Sequence, residues 1–255
     1  MKSLAIIGGA GRMGQAMAAG LSTHGDFKIS ALVDINTPRE LFGATYYSTI
    51  NEIDSSTVDV VIEFSSPESV VTSASWCATN KVGLVIGTTG LSAQQRSAIE
   101  DAGKKTGVLI ASNFSLGAVL SERFAAMAAP YFDRVEIIEL HHDKKADAPS
   151  GTSITTAQGI AKSRKDAGLT SISEVTERET FPGSRGADAV DGVRIHSVRL
   201  PGLVAHQEVL FGGPGEGLTI RHDSFDRTSF VQGVAIAVTA IGSTPCFLSG
   251  IESLL

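Results

Sequence analysis

The chain has 255 residues, 42% of them hydrophobic and 19% charged, with a formal net charge of −6. That apolar fraction sustains a core, which excludes a disordered chain or a stapled mini-fold. The acidic balance, with no basic run beyond Lys104-Lys105 and Lys144-Lys145, argues against a nucleic-acid or anionic-membrane partner. Two distant cysteines, Cys77 and Cys246, make no disulfide framework and point to a reduced, cytoplasmic compartment. Lys2 and the apolar run 4–7 imitate a signal peptide, but Gly8-Gly9 and Arg12 break the run too early. No stretch approaches the roughly 18 apolar residues of a membrane span.

Taken along the chain, residues 4–7, 28–33, 58–64, 82–86 and 108–111 are short aliphatic or β-branched runs. Helix-like segments at 15–22, 68–79 and 93–104 separate several of them. Nearly continuous apolar strands divided by helices predict a parallel sheet covered on both faces, hence a Rossmann-like doubly wound α/β fold. After about residue 113 the rhythm changes. A helix at 116–129, a strand at 135–140 and a helix from 152 to about 165 lead into strand candidates at 193–200, 204–211 and 218–222. Consecutive strands without helices between them predict a second, α+β domain with a mixed sheet. The apolar segment 230–241 reads as a helix, and the polar segment 163–191 as a flexible loop.

Gly8-Gly9-Ala10-Gly11-Arg12-Met13-Gly14 lies between the first strand and the first helix. Glycines at that turn admit a pyrophosphate to the backbone, and the helix N-terminus offers unpaired N–H groups and partial positive charge. Asp34 follows at the end of the second strand, where an acid hydrogen-bonds a ribose 2′-OH. A glycine turn with an unrelated acid is the competing reading. A 2′-phosphate needs a nearby cation, and Ile35-Asn36 supplies none, so NADH is expected to serve at least as well as NADPH. Gly87-Thr88-Thr89-Gly90 and Ala111-Ser112-Asn113-Phe114 follow later strands, where loops line the ligand crevice. An ordinary tight turn of Gly87, Thr88 and Thr89 is the competing, lesser reading. Asn113 could meet a nicotinamide or merely cap a helix.

The stretch 139–152, Glu-Leu-His-His-Asp-Lys-Lys-Ala-Asp-Ala-Pro-Ser-Gly-Thr, gathers His141, His142, Lys144 and Lys145 before a helix start at Ser150-Gly151-Thr152. Such a helix N-terminus with a lysine nearby suits a carboxylate, and histidine suits proton donation near neutral pH. A solvated charged loop and a metal site are the alternatives; the ligand spacing matches no metal motif. Asp223 and Asp226 read as helix caps, and His196, His206 and His222 as buried or interface residues.

These motifs, in this order, make the chain resemble the 4-hydroxy-tetrahydrodipicolinate (dihydrodipicolinate) reductase family, with residues 198–230 similar to its actinobacterial branch. The resemblance implies a cofactor domain of residues 1–113 plus 228–255 and a substrate and tetramer-forming domain of residues 114–227. It implies NAD(P)H-dependent reduction of (2S,4S)-4-hydroxy-tetrahydrodipicolinate, with loss of water, in lysine and diaminopimelate biosynthesis. The proton-donor role then falls on His141, shared with Lys145. The dicarboxylate substrate falls to His142, Lys145, Gly151 and Thr152. Cofactor contacts fall on Gly8, Gly9, Ala10, Gly11, Arg12, Met13, Asp34, Gly87, Thr88, Thr89, Ala111, Ser112, Asn113 and Phe114. No metal is expected, and a homotetramer is. NADPH-preferring members carry an arginine directly after the acid, where this chain has Ile35.

Overall fold

Buried β-branched runs alternating with helices build the first half of the structure, a computed structural model describing residues 1–255. In chain order it runs β1 (Lys2–Ile7), α1 (Arg12–Ser22), β2 (Phe27–Val33), β3 (Thr45–Tyr47), β4 (Val60–Glu63), α2 (Pro67–Asn80), β5 (Gly83–Ile86), α3 (Ala93–Gly103) and β6 (Gly107–Ile110). The helices start where local chemistry demands it. Ser66 caps α2 ahead of Pro67, and Ser92 and Gln95 form a reciprocal capping box on α3.

The rhythm then breaks into α4 (Leu116–Ala128), β7 (Arg134–His141), α5 (Gly151–Asp166), β8 (Ala187–Val190), β9 (Val193–Arg199), β10 (Ala205–Gly213) and β11 (Glu216–Ser224). Finally α6 (Val231–Ala240) and β12 (Cys246–Ser249) return to the first sheet. Two compact units result, residues 1–116 with 227–255, and residues 117–226.

In the first unit seven parallel strands lie in the order β12-β6-β5-β4-β1-β2-β3. This is the doubly wound α/β arrangement anticipated, and its order reverses between β1 and β4, where such sheets bind ligands. Every residue of β4, β5 and β6 is buried, as expected of strands covered on both faces. Glu63, the last residue of β4, is the charged exception.

The second unit has a mixed five-stranded sheet, β11-β10-β7-β9-β8, in which β7 and β9 run parallel and the other pairs antiparallel. On the face carrying α5, Val135 and Ile137 of β7, Ile195 of β9 and Val209 and Phe211 of β10 join Ala157 and Ile160 of the helix in one core. The same alternation continues one turn toward the start of α5 with polar residues. Glu139, Gln207, Ser153 and Thr156 are all buried there. One layer therefore changes from apolar to polar along its length.

Three short strands escape sequence pattern: β3, β8 and β12, each of three or four residues. The segment read as a flexible loop across 163–191 is α5 to Asp166 and β8 from Ala187, with irregular backbone between. That backbone is tied down by ion pairs. Arg185 meets Glu136, and Arg194 meets Glu174 at 2.5 Å. Asp223 is no helix cap. It lies in β11, where its carboxylate meets His206 at 2.7 Å and Arg221 at 2.9 Å.

Candidate active site

Alternation along β7 turns Glu139 and His141 to the α5 face at the strand's end, where the core has become polar. Glu139 is fully buried, so its carboxylate must be paired. Arg199, at the end of neighbouring β9, grips it two-handed at 2.8 and 2.7 Å. The backbone N–H of Ser150 donates to it at 3.3 Å, and Nδ1 of His141 lies 2.5 Å from its second oxygen. Burial works against ionisation of Glu139, but hydrogen bonds from Arg199, Ser197 and His141 outweigh it and hold the carboxyl below its ordinary range. Burial pulls the His141 imidazole below its usual value, and the Lys145 and Arg199 charges add to this; Glu139 opposes it.

Ser150 caps α5, its hydroxyl accepting the N–H of Ser153 at 3.2 Å, and Ser153 in turn donates to Gln207 at 2.7 Å. The N–H groups of Gly151 and Thr152, in the first turn, have no intrahelical acceptor and suit an anionic group. Lys145 reaches Asp147 at 2.8 Å, while Arg199 also holds the carbonyl of Asp147 at 2.8 Å. The structure thus gathers His141, Lys145, Gly151 and Thr152 around one loop; His142, just past the strand, is exposed.

In the first unit Gly8 leaves β1 at φ +78°, and a Cβ there would lie 2.3 Å from the carbonyl oxygen of Phe64. A Cβ on Gly14 would strike the carbonyl oxygen of Gly8 at 2.1 Å, so the helix packs on the turn only as glycine. Gly11 precedes α1 without a side-chain cap, leaving the helix N–H groups to a ligand. Asp34 accepts the N–H of Ala10 at 3.0 Å and that of Asn36 at 3.0 Å, binding the glycine turn to the end of β2. Beside them lies a cavity of about 600 Å³ lined by Gly8, Gly11, Asp34, Ile35, Asn36 and the hydroxyls of Ser48, Thr49, Ser65, Ser66, Ser69 and Thr72. Asp34 is the one charged residue in that lining. Gly9, Ala10, Arg12 and Met13 do not line it. The glycine cradle, helix start and acid fit a dinucleotide.

The other predicted contacts have local tasks. Thr88 accepts the N–H of Ser65 at 3.0 Å and donates to the carbonyl of Glu63 at 3.3 Å. A Cβ on Gly87 would lie 1.9 Å from the edge of the Phe64 ring. Asn113 uses its side-chain oxygen to accept the N–H of Ser115 at 2.9 Å, just ahead of α4. Ala111 is buried, Phe114 packs edge-on to Phe64 with centroids 5.9 Å apart, and Thr89 and Ser112 are exposed.

Sequence reasoning missed the cavity's hydroxyl wall, although Ser65 and Ser66 follow β4 at a strand end, the same signal that drew notice to Gly87–Gly90. It missed Arg199 for want of any local signal: that residue lies 60 positions from Glu139.

A doubly wound unit with a dinucleotide cradle, joined to a unit presenting an imidazole, a lysine and a helix N-terminus, defines a two-unit nicotinamide-dependent oxidoreductase. The chain belongs to the dihydrodipicolinate reductase family: the model of that enzyme's N-terminus matches residues 2–114 and that of its C-terminus residues 117–255. It is 47% identical over 253 residues to the 4-hydroxy-tetrahydrodipicolinate reductase of Mycobacterium marinum, covering 98% of this chain and 97% of that one. It is 42% identical over 256 residues to the enzyme of the same name from Corynebacterium aurimucosum, with the same coverage of 98% and 97%. Dipicolinate-bound dihydrodipicolinate reductase from Paenisporosarcina sp. TG-14 superposes with a TM-score of 0.88 at 38% identity, covering 100% of both chains.

Buried Glu63 has no cation to hold it; its hydrogen-bond partners are Ser65, Ser69 and Ser73, the last at 2.5 Å. Burial raises its carboxyl above the ordinary range, and these hydrogen bonds offset that only in part. Because the folded state then holds the proton more tightly than the unfolded one, stability falls as pH rises from the unfolded pKa through the folded one. Glu63→Gln removes that penalty. Thermal melts between about pH 5 and pH 8 should show a Tm gain over the parent that widens with pH; a gain that narrows with pH would contradict the account.

Proposed function

We propose that this chain reduces (2S,4S)-4-hydroxy-tetrahydrodipicolinate to tetrahydrodipicolinate with loss of water, using NADH at least as readily as NADPH, in lysine and diaminopimelate synthesis. The observation that carries the reading is the His141 ring held on a buried carboxylate beside the open N-terminus of α5, with Lys145 in the same loop. Family membership and the relatives named above support the reaction. The dipicolinate carried by the Paenisporosarcina enzyme supports a small dicarboxylate as ligand.

Loss of water takes the C4 hydroxyl and a proton from the adjacent carbon, leaving C4 conjugated to the imine, and a reduced nicotinamide, when bound, supplies hydride to C4 to give an enamine. The adjacent carbon needs a proton, and His141 donates it; the gain from such general acid catalysis is about 10²–10⁴-fold. With Nδ1 engaged by Glu139, Nε2 is the donating atom. Lys145 exchanges Asp147 for a substrate carboxylate, His142 assists from the loop, and the Gly151 and Thr152 amides take the second carboxylate. These contacts hold the acceptor carbon for transfer over about 3–3.5 Å.

Cofactor choice rests on Asp34. A 2′-phosphate would add charge beside that carboxylate in a cavity whose lining holds no lysine, arginine or histidine, and Ile35, 90% exposed, stands where a cation would help. Oligomerisation rests on the second face of the five-stranded sheet. Ile138 and Leu140 of β7, Val198 of β9 and Leu210 of β10 are half-buried there, and Leu200 beside them is 53% exposed. That face suits burial in a homotetramer. The two thiols are free, which supports a reducing, cytoplasmic location, and no helix is long and apolar enough to cross a membrane.

Steady-state kinetics should give kcat/KM for NADH equal to or above that for NADPH, with Ile35→Arg moving the ratio toward NADPH by about tenfold, or 1.4 kcal/mol. A parent enzyme clearly faster with NADPH refutes the cofactor reading. His141→Gln should lose about 10²-fold or more in kcat with the NADH KM unchanged, while Lys145→Ala raises substrate KM and lowers kcat. Wild-type turnover by His141→Gln would remove the proton-donor assignment. Light scattering after size exclusion should report a tetramer, and Leu140→Asp should dissociate it; a monomeric parent would discount the sheet-face reading.

A further inference from the structure

Most of the charged groups near the proposed reaction centre touch solvent, but Glu139 does not. It is fully buried, and besides its hydrogen bond to the imidazole it takes others from groups outside the proposed chemistry, Ser197 among them. Arg199 supplies two, from the end of β9, and the Ser150 N–H supplies one, from the cap of α5. The carboxylate is therefore fixed from two other elements before it meets His141 on its own strand.

We propose that Glu139 is a positioning residue for proton transfer: it fixes His141 with the proton on Nδ1 and stabilises the imidazolium, while Arg199 keeps Glu139 anionic and immobile. The proposal rests on the reading of His141 as proton donor. A neutral imidazole with its proton on Nδ1 has none on Nε2, so donation from Nε2 requires the doubly protonated ring. Beside that ring stand Lys145 in the loop before α5, its ammonium paired with Asp147, Arg199 from β9 and Glu139 from β7; α5 offers the uncharged Ser150. Lys145 and Arg199 both oppose a second positive charge, and burial opposes it too. Glu139 alone among the ring's direct partners favours the charged form. The arrangement follows the logic by which a buried carboxylate sets tautomer and orientation in other imidazole catalysts.

Glu139→Gln keeps the shape and lets the Ser150 N–H retain an oxygen acceptor. Arg199 keeps the carbonyls of Val198 and Asp147. The expected result is a basic limb of the kcat–pH profile shifted down by about one pH unit or more, with the NADH KM unchanged. Nitrogen-15 NMR of histidine-labelled enzyme, with His141 assigned by its loss in His141→Gln, reads the same claim without turnover. The parent should show the Nδ1–H tautomer, and Glu139→Gln should lower the His141 pKa by a similar amount. A parent ring protonated on Nε2 alone, or a titration unmoved by Glu139→Gln, overturns the proposal even where activity falls. Conversely, full activity in His141→Gln with the expected NMR result refutes the donor reading and leaves the Glu139–His141 pair standing. The parent tautomer is read without Glu139→Gln, so the claim is decided even if that variant does not fold.

Discussion

Everything at the polar end of the second unit answers to one constraint, the complete burial of the Glu139 carboxylate. A charge taken out of water demands partners from whatever elements surround it, and losing one partner from a buried pair typically costs about 3–5 kcal/mol. Strand β9 answers with Arg199, helix α5 with the amide of its cap, and β7 itself with His141. Those obligations fix the angle at which α5 begins and the plane in which the imidazole lies. Because Arg199 also holds the Asp147 carbonyl, the loop carrying Lys145 is drawn into the same arrangement. On the proposed reading of His141, a structural requirement and a chemical one meet at a single side chain.

Glu63 offers the contrast that makes the point physical. It too is a fully buried glutamate at the end of a strand, but serine hydroxyls surround it instead of a guanidinium. The two acids shift in opposite directions, Glu139 held ionised by its cation and Glu63 pushed toward the neutral form by burial. Environment, and not residue type, assigns the role. In the first unit Glu63 joins the end of β4 to Ser65, and Ser65 joins Thr88 on the next loop. Hydrogen bonds therefore tie the loops at two strand ends together, next to the cavity that Gly8, Gly11 and Asp34 define.

What could be read from the residues alone follows from how local each signal is. The doubly wound sheet was legible because its strands are covered on both faces and so appear as unbroken apolar runs. The glycine turn and the 139–152 stretch were legible because their parts sit within a few residues of one another. Strands β3, β8 and β12 were not, being too short to carry a period. Arg199 was invisible for a different reason: nothing near it in sequence distinguishes it from any strand-end arginine until β9 is laid beside β7. Asp223 looked like a cap because acids near helix starts usually are, but β11 pairs with β10 and brings His206 to it.

The central claim is that a small doubly anionic heterocycle lies against the His141 imidazole, its carboxylates on Lys145 and the start of α5. The most direct measurement is a crystal structure of the protein with dinucleotide and pyridine-2,6-dicarboxylate bound together. The account predicts Nε2 of His141 at the ring, Nδ1 still on Glu139, and one carboxylate on the Gly151 and Thr152 amides. A dicarboxylate bound elsewhere, with His141 turned away from it, would contradict the account at its root.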